Sequence, residues 1–323
     1  MKARHVLLAV AITAIWGLNF SVTKIGLETV DPFLLTGIRF TLTAFPAVLV
    51  VRRPDVPWRY LAGYGLIFGV ALWGVVNLAV QVGVSAGIAS LVLQLSAFLT
   101  ILLGAVVFRE KLTRHQITGT VIALGGLACT AFLTDGSVTF AGLALVVLGA
   151  FSWSAANVLM KKAAPDRVGA FLVWSCLFSP IPLFLLDLAV GGTAGFEHLG
   201  SGLDLTAIAS ILFQAYPNTL LAYAIWNWLL REYPVSTVAP LSLLVPLFGI
   251  TGSVLIFGEQ LPALKILSGL LIIAGLVTSL YGARIQNALT RHRPPRPSGT
   301  EPSAASEPSP SSSPPSSSEE ATR

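Results

Sequence analysis

Apolar positions along this chain fall in long, nearly unbroken runs. They do not follow the two- or 3.6-residue alternation of half-buried strands and helices. Ten runs stand out, at about 6–26, 33–51, 59–81, 86–108, 116–133, 141–161, 168–190, 204–230, 235–257 and 263–282. A helix needs roughly 20 mostly apolar residues to cross a bilayer. The pattern therefore predicts an all-α integral membrane protein with ten transmembrane helices. The third and fourth runs are parted only by Gly83, Ser85 and Gly87.

Composition agrees. Only 11% of the 323 residues are charged and 54% are hydrophobic, against about 25% charged in soluble domains. A net charge of +5 would by itself suit a nucleic-acid partner, but its distribution points to membrane orientation instead. With the N-terminus in the cytoplasm and the loops assigned alternately, one side collects Lys2, Arg4, Arg52, Arg53, Arg59, Arg109, Lys111, Arg114, Lys161, Lys162, Arg167 and Arg231. The other side collects Glu28, Asp31, Asp135, Asp187, Glu197, Asp204 and Glu259, with Lys265 as its only clear loop cation. Both termini are thus expected in the cytoplasm. The short basic start and long apolar run, without a small-residue cleavage site, read as an uncleaved first span. Cys129 and Cys176 both sit in apolar runs and are too few for a disulfide framework.

The chain also repeats. FREKL (Phe108, Glu110, Leu112) matches FGEQL (Phe257, Glu259, Leu261) at an offset of 149, and Gly126 matches Gly275 at the same offset. Trp16 and Lys24 are eight residues apart, as are Trp153 and Lys161, while Asn157 echoes Asn19 with a one-residue shift. The organisation expected is a five-helix half over 1–134, a second over 135–285, and a disordered Pro/Ser-rich cytoplasmic tail over 286–323. Five spans is an odd number, so the second half should lie upside down relative to the first. Two inverted five-helix repeats are a transporter signature, with substrate bound between the halves near the midplane.

Interior polar residues are the candidates for function. In WGLNFSVTK, Trp16, Asn19, Phe20, Thr23 and Lys24 share one helical face, opposite Ile15, Leu18, Val22 and Ile25. A lipid-facing Asn would have no partner, so that face should turn inward. Asn19 then either lines a pathway or bonds a neighbouring helix. Lys24 either snorkels to the interface or receives a substrate carboxylate. Arg39, several residues inside the second run, suits carboxylate recognition, with an ion pair to Glu28 or Asp31 as the alternative. Asn77, Gln81 and Gln94 supply uncharged amides in the third and fourth runs. Trp153 and Asn157 stand in the sixth, and Gln214, Asn218, Tyr223, Trp226 and Asn227 in the eighth. Lys161 and Lys162 read as positive-inside residues. Pro240 and Pro246 either kink the ninth run around a cavity or kink it for packing alone. Glu110 and Glu259 lie at span ends, where they cap or gate. No acid stands clearly mid-span, and the four histidines lie at helix ends, in loops or in the tail. Neither a P-loop nor a metal-ligand cluster nor a nucleophile motif is present, so no enzyme activity, cofactor or metal is expected.

Several segments carry a family resemblance: WGLNFSVTKIGL, PFLLTGIRFTLTAFPA, GYGL, AGIASLVLQLSAFLTILLGAVVFREKL, AFSWSAANVLMKK and VAPLSLLVPLFG. Together they resemble the EamA-like family of the drug/metabolite transporter superfamily over about residues 10–285. SLVLQ and APLSLLVP are most like its bacterial O-acetylserine/cysteine exporters. The resemblance implies ten helices in two inverted halves, a bacterial inner-membrane location, and export of small amino-acid-like metabolites. Runs 62–83 and 204–232 are less similar to those exporters, which leaves other metabolites, aromatic amino acids, nucleosides or toxic compounds as alternative cargo. A non-transporting membrane scaffold is the alternative of a different class. The partners expected are a small-molecule substrate and the lipid bilayer, not nucleic acid, for a monomer or homodimer.

Overall fold

The computed structural model describes residues 1–133, 136–233 and 235–291, and its compact unit runs Met1–Ala283. Every regular element among the described residues is helical. Eight helices are long and apolar enough to cross a membrane: α1 (Ala3–Gly26), α2 (Pro32–Val50), α3 (Trp58–Gln81), α4 (Ala86–Phe108), α6 (Phe140–Ala163), α7 (Val168–Gly191), α8 (Leu205–Glu232) and α10 (Ala263–Gly282). The other two expected runs are helical but fall short of that standard. Helix α5 (Arg114–Ala131) opens on Arg114, His115 and Gln116, which dilute its apolar character. Helix α9 (Leu244–Phe257) is short because its run is broken by a tight turn, Ala239–Leu243, that holds Pro240. Most of the expected tail, residues 292–323, lies outside the described residues.

Helix starts follow local chemistry. Thr113 and Gln116 exchange side-chain and backbone hydrogen bonds in a capping box at α5. Thr139 caps α6 and Asp204 caps α8, each accepting from an amide three residues on.

Some segments share local geometry. The second part of α4, Leu95–Phe108, and α9, Leu244–Phe257, each have 14 residues. The residues before them, Gln94 and Leu243, share φ −63° and ψ −16°. Both helices stop on a left-handed residue, Arg109 (φ 56°) and Gly258 (φ 64°). Helices α1 and α6 each span 24 residues. Helices α3 and α8 each contain a widened, π-helical stretch, Leu66–Gly74 and Gln214–Leu221.

Packing uses small residues, because lipid tails give no hydrophobic drive for helix association and close van der Waals contact must supply it. A Cβ on Gly17 of α1 would lie 2.5 Å from the Val245 carbonyl oxygen and 2.6 Å from Phe248 Cβ of α9. The equivalent contact of α6 with α4 is a hydrogen bond from Ser154 Oγ to the Ser96 carbonyl, at 2.8 Å. Helices α5 and α10 cross through Gly119 and Gly275, where a Cβ on either would meet the other's carbonyl oxygen at 2.5 Å. Gly126, on the same helix as Gly119, packs against the Ser268 carbonyl and Ile272.

Candidate functional site

The first helix turns its polar face inward. Asn19, Ser21 and Thr23 are buried, and Phe20 is buried beside them. Ile15, Leu18, Val22 and Ile25 are only half-buried. Neither amide atom of Asn19 has a hydrogen-bond partner. The inward turn of this face was legible from spacing alone, but the missing partner was not.

Arg39 of α2 is the most buried charge in this region, at 1% exposure. It pairs with neither Glu28 nor Asp31. Its Nη1 donates to Gln214 Oε1 at 3.4 Å and its Nη2 to Thr219 Oγ1 at 3.1 Å, both on the widened stretch of α8. Its guanidinium lies 4.6 Å from the ring centroid of Trp73, and its Nε has no partner. No carboxylate reaches it within ion-pair distance among the described residues. Desolvating a cation without a counter-ion costs several kcal/mol, so this arrangement is expensive for the fold alone.

The widened stretches hold this site together. Pro217 removes a backbone donor inside Gln214–Leu221. Two carbonyls of that stretch also accept from side chains: Gln214 O from Thr219 Oγ1 at 2.7 Å, and Asn218 O from Trp16 Nε1 at 3.2 Å. Gln214 Nε2 donates to Ser210 Oγ at 3.1 Å, fixing the amide whose oxygen faces Arg39. The stretch Leu66–Gly74 carries Phe68 and Trp73. Such wide turns are rare and cluster at functional sites.

Aromatic rings link the helices around this point. Trp16 meets Tyr223 and Trp226 at centroid distances of 5.2 and 5.0 Å. Phe20 meets Trp73 at 6.1 Å, and Trp153 meets Trp73 at 6.5 Å. Tyr223 meets Phe68 at 6.5 Å. Trp73 is therefore the junction of α1, α3 and α6, with Arg39 against it. Asn77, one helical turn beyond Trp73, donates to Thr36 Oγ1 at 2.8 Å. Trp73 Nε1 and Asn77 Oδ1 have no partner. The unmet groups are thus mixed: Arg39 Nε and Trp73 Nε1 donate, Asn77 Oδ1 accepts, and Asn19 offers both. A ligand with a carboxylate and an ammonium matches that set.

Other expected residues sit elsewhere. Asn157 donates to Thr100 Oγ1 at 3.2 Å on the way out of the cluster. Gln94 lies at the break in α4. Asn227 is half-buried with Nδ2 unpartnered. Gln81 is exposed at the last residue of α3, so the structure does not bring it to the cluster. Pro240 stands in the turn before α9, and its side chain lies outside the described residues. Lys24 is at a helix end, as a snorkelling residue would be, but its Nζ lies 3.7 Å from Glu259 Oε1 and 4.1 Å from the Phe257 ring centroid. Lys161, expected as a positive-inside residue, bonds Glu110 at 2.9 Å and lies 4.3 Å from the Phe108 ring centroid. Lys265, expected in a loop, is 1% exposed in the first turn of α10 and bonds Glu259. Thr219 and Phe68 were not singled out by the sequence. A threonine in an apolar helix and a phenylalanine in a fully apolar run carry no positional signal.

Membrane-length helices around a buried polar cluster are compatible with a transporter, and comparison with known proteins agrees with that class. The EamA-like transporter family matches twice, over residues 3–132 and 140–281, and the chain belongs to that family. It is 38% identical to a "Probable amino-acid metabolite efflux pump" of Escherichia coli K12, over 90% of this chain and 99% of that protein. It is 26% identical to a "Probable terminal-alkyne amino-acid exporter" of Streptantibioticus cattleyicolor, over 86% of this chain and 94% of that one. A solved crystal structure, 19% identical, superposes with a TM-score of 0.59 over 88% of this chain and 99% of its own. That last likeness concerns the fold alone.

Proposed function

We propose that the protein exports small amino-acid-like metabolites, of the cysteine and O-acetylserine kind, across a bacterial inner membrane by alternating access. The observation that carries this reading is Arg39, a buried cation with no carboxylate partner among the described residues, beside unmet groups of both hydrogen-bonding senses. A substrate carboxylate would supply the missing counter-ion, and acceptors such as Asn77 Oδ1 would receive the ammonium. The names of two similar proteins, a probable amino-acid metabolite efflux pump and a probable terminal-alkyne amino-acid exporter, support the reading. In this reading ten spans form two inverted five-helix halves, divided near 134, with both termini cytoplasmic. The double family match and the matched geometries of α4 with α9 and α1 with α6 support that division.

A second reading has its own observation. The cluster is walled by Trp16, Trp73, Trp153, Tyr223 and Trp226, which suits aromatic amino acids, nucleosides or toxic aromatic compounds. Cells overproducing the protein discriminate between the two. Loaded with excess cysteine or O-acetylserine, they should release it to the medium faster than control cells and faster than cells producing Arg39→Met. Faster release of tryptophan or nucleosides, with cysteine and O-acetylserine unchanged, would favour the aromatic reading.

A further inference from the structure

We propose that the two lysine–glutamate pairs, Lys161–Glu110 and Lys24–Glu259, are docking stations for the paired charges of a zwitterion, one at each mouth of the pathway. The proposal rests on the amino-acid export reading above.

The pairs are built alike. In each, a lysine at the end of one half's first helix reaches a glutamate just beyond the other half's fourth helix, over a phenylalanine two residues before that glutamate. Lys161 and Lys24 are 137 residues apart, and both Phe108 and Phe257 and Glu110 and Glu259 are 149 apart. With the helices crossing in turn, α1 and α9 end on one face and α4 and α6 on the other, so each mouth has one pair.

Both pairs lead inward to the same ring. On α6, Lys161, Asn157 and Trp153 follow at four-residue spacing, on one face, and Trp153 meets Trp73. On α1, Lys24, Phe20 and Trp16 follow at the same spacing, and Phe20 meets Trp73. Trp73 lies against Arg39. Lys161 and Glu110 border a cavity of about 220 Å³ with Thr100, Gln116 and Asn157 on its wall. Both side chains are 58% exposed, and so open a pair adds little to stability. Its recurrence at the second mouth therefore calls for a role other than a strut.

The chemistry selects α-amino acids. A zwitterion brings a carboxylate for the lysine and an ammonium for the glutamate. It replaces the pair with no uncompensated charge. At Lys161–Glu110 a cargo with a single charge leaves one member without a partner, whereas Glu259 keeps Lys265. The second pair is looser between its own members, at 3.7 Å against 2.9 Å, but its glutamate is more enclosed: Glu259 is 12% exposed, bonds Lys265 as well, and accepts from Ser253 Oγ. The more exposed pair lies at the mouth expected to face the cytoplasm, where an exporter loads.

Competition in proteoliposomes tests this. The protein is reconstituted, and exchange of labelled cysteine is inhibited with serine, with N-acetylserine (no ammonium) and with serine methyl ester (no carboxylate). For the unaltered protein, both blocked analogues should compete roughly ten- to hundredfold more weakly than serine. Glu110→Gln should shrink the deficit of N-acetylserine and leave that of the ester. Lys161→Gln should do the reverse. Glu110→Asp and Lys161→Arg keep the charges and should keep the original ranking, which guards against a mere loss of fold. Equal weakening of all three competitors in both glutamine variants, with the charge-conserving variants behaving alike, would make the pairs latches only and overturn the proposal. Failure of the unaltered protein to exchange cysteine at all would overturn the export reading itself.

Discussion

Arg39→Met separates a substrate anchor from a structural ion. Arg39 makes two hydrogen bonds to neutral acceptors, at 3.4 and 3.1 Å, and one ring contact at 4.6 Å. Removing it leaves Gln214 Oε1 short of a donor, at about 1–3 kcal/mol, and forfeits a desolvated cation–π contact of about 2 kcal/mol. Thr219 Oγ1 keeps its own bond to the Gln214 carbonyl. Against these losses stands the relief of a buried, unpaired cation, worth several kcal/mol. The opposing terms are of similar size, so the net change in stability should stay within about 2 kcal/mol. The transport consequence is not balanced in this way. A carboxylate held by two charge-assisted bonds loses about 3 kcal/mol or more with the guanidinium, which is roughly a hundredfold in transport efficiency. The assays are thermal unfolding in detergent and initial rates of labelled cysteine efflux from proteoliposomes. Arg39→Lys refines the result, because lysine keeps the charge but not the planar fork, and should recover only part of the rate. A steep loss of thermal stability with Arg39→Met would mark Arg39 as a structural ion, and unchanged efflux would refute its role as anchor.

Four further substitutions probe other parts of the structure. Asn19→Leu removes two buried polar atoms that have no partner; it should stabilise the protein by about 1–3 kcal/mol of relieved desolvation, read as a higher unfolding temperature, while slowing efflux. Gly17→Ala forces a methyl group to within 2.5 Å of the Val245 carbonyl and should destabilise the protein by about 1–3 kcal/mol. Gly125→Ala, where a Cβ would meet nothing within 4 Å, should be neutral in the same melt. Gln81→Ala removes an exposed amide at a helix end and should leave efflux rates unchanged.

Much of this arrangement is legible in the sequence, for identifiable reasons. Long apolar runs specify spanning helices because backbone groups in lipid must be satisfied within their own segment. The face of Trp16, Asn19, Phe20 and Thr23 was visible because polar residues interrupt an apolar background at helical spacing. Arg39 was visible because a charge inside such a run is rare. Its real partners were not. Gln214 and Thr219 are 175 and 180 residues away, and the widened turn that presents them has no marker beyond Pro217. Phe68 lies in a stretch that is apolar on every side, where spacing cannot tell a lipid face from a ring facing the site. Charge counting sorted Lys161 with the orienting cations and Lys265 with the loops. It could not see that each meets a glutamate from a distant or turned-back segment. The shortened α9 has a local cause, since Pro240 and the turn around it end one helix before the next begins.

The most direct test of export through this site is a measurement on the purified protein in sealed vesicles. Labelled O-acetylserine and cysteine are loaded inside, and efflux is followed against a parallel set loaded with tryptophan and a nucleoside, for the unaltered protein and for Arg39→Met. The expected result is efflux of the two small zwitterions that exceeds the protein-free leak and falls to that leak in Arg39→Met. Efflux confined to the aromatic cargo, or zwitterion efflux that survives the loss of Arg39, would contradict it.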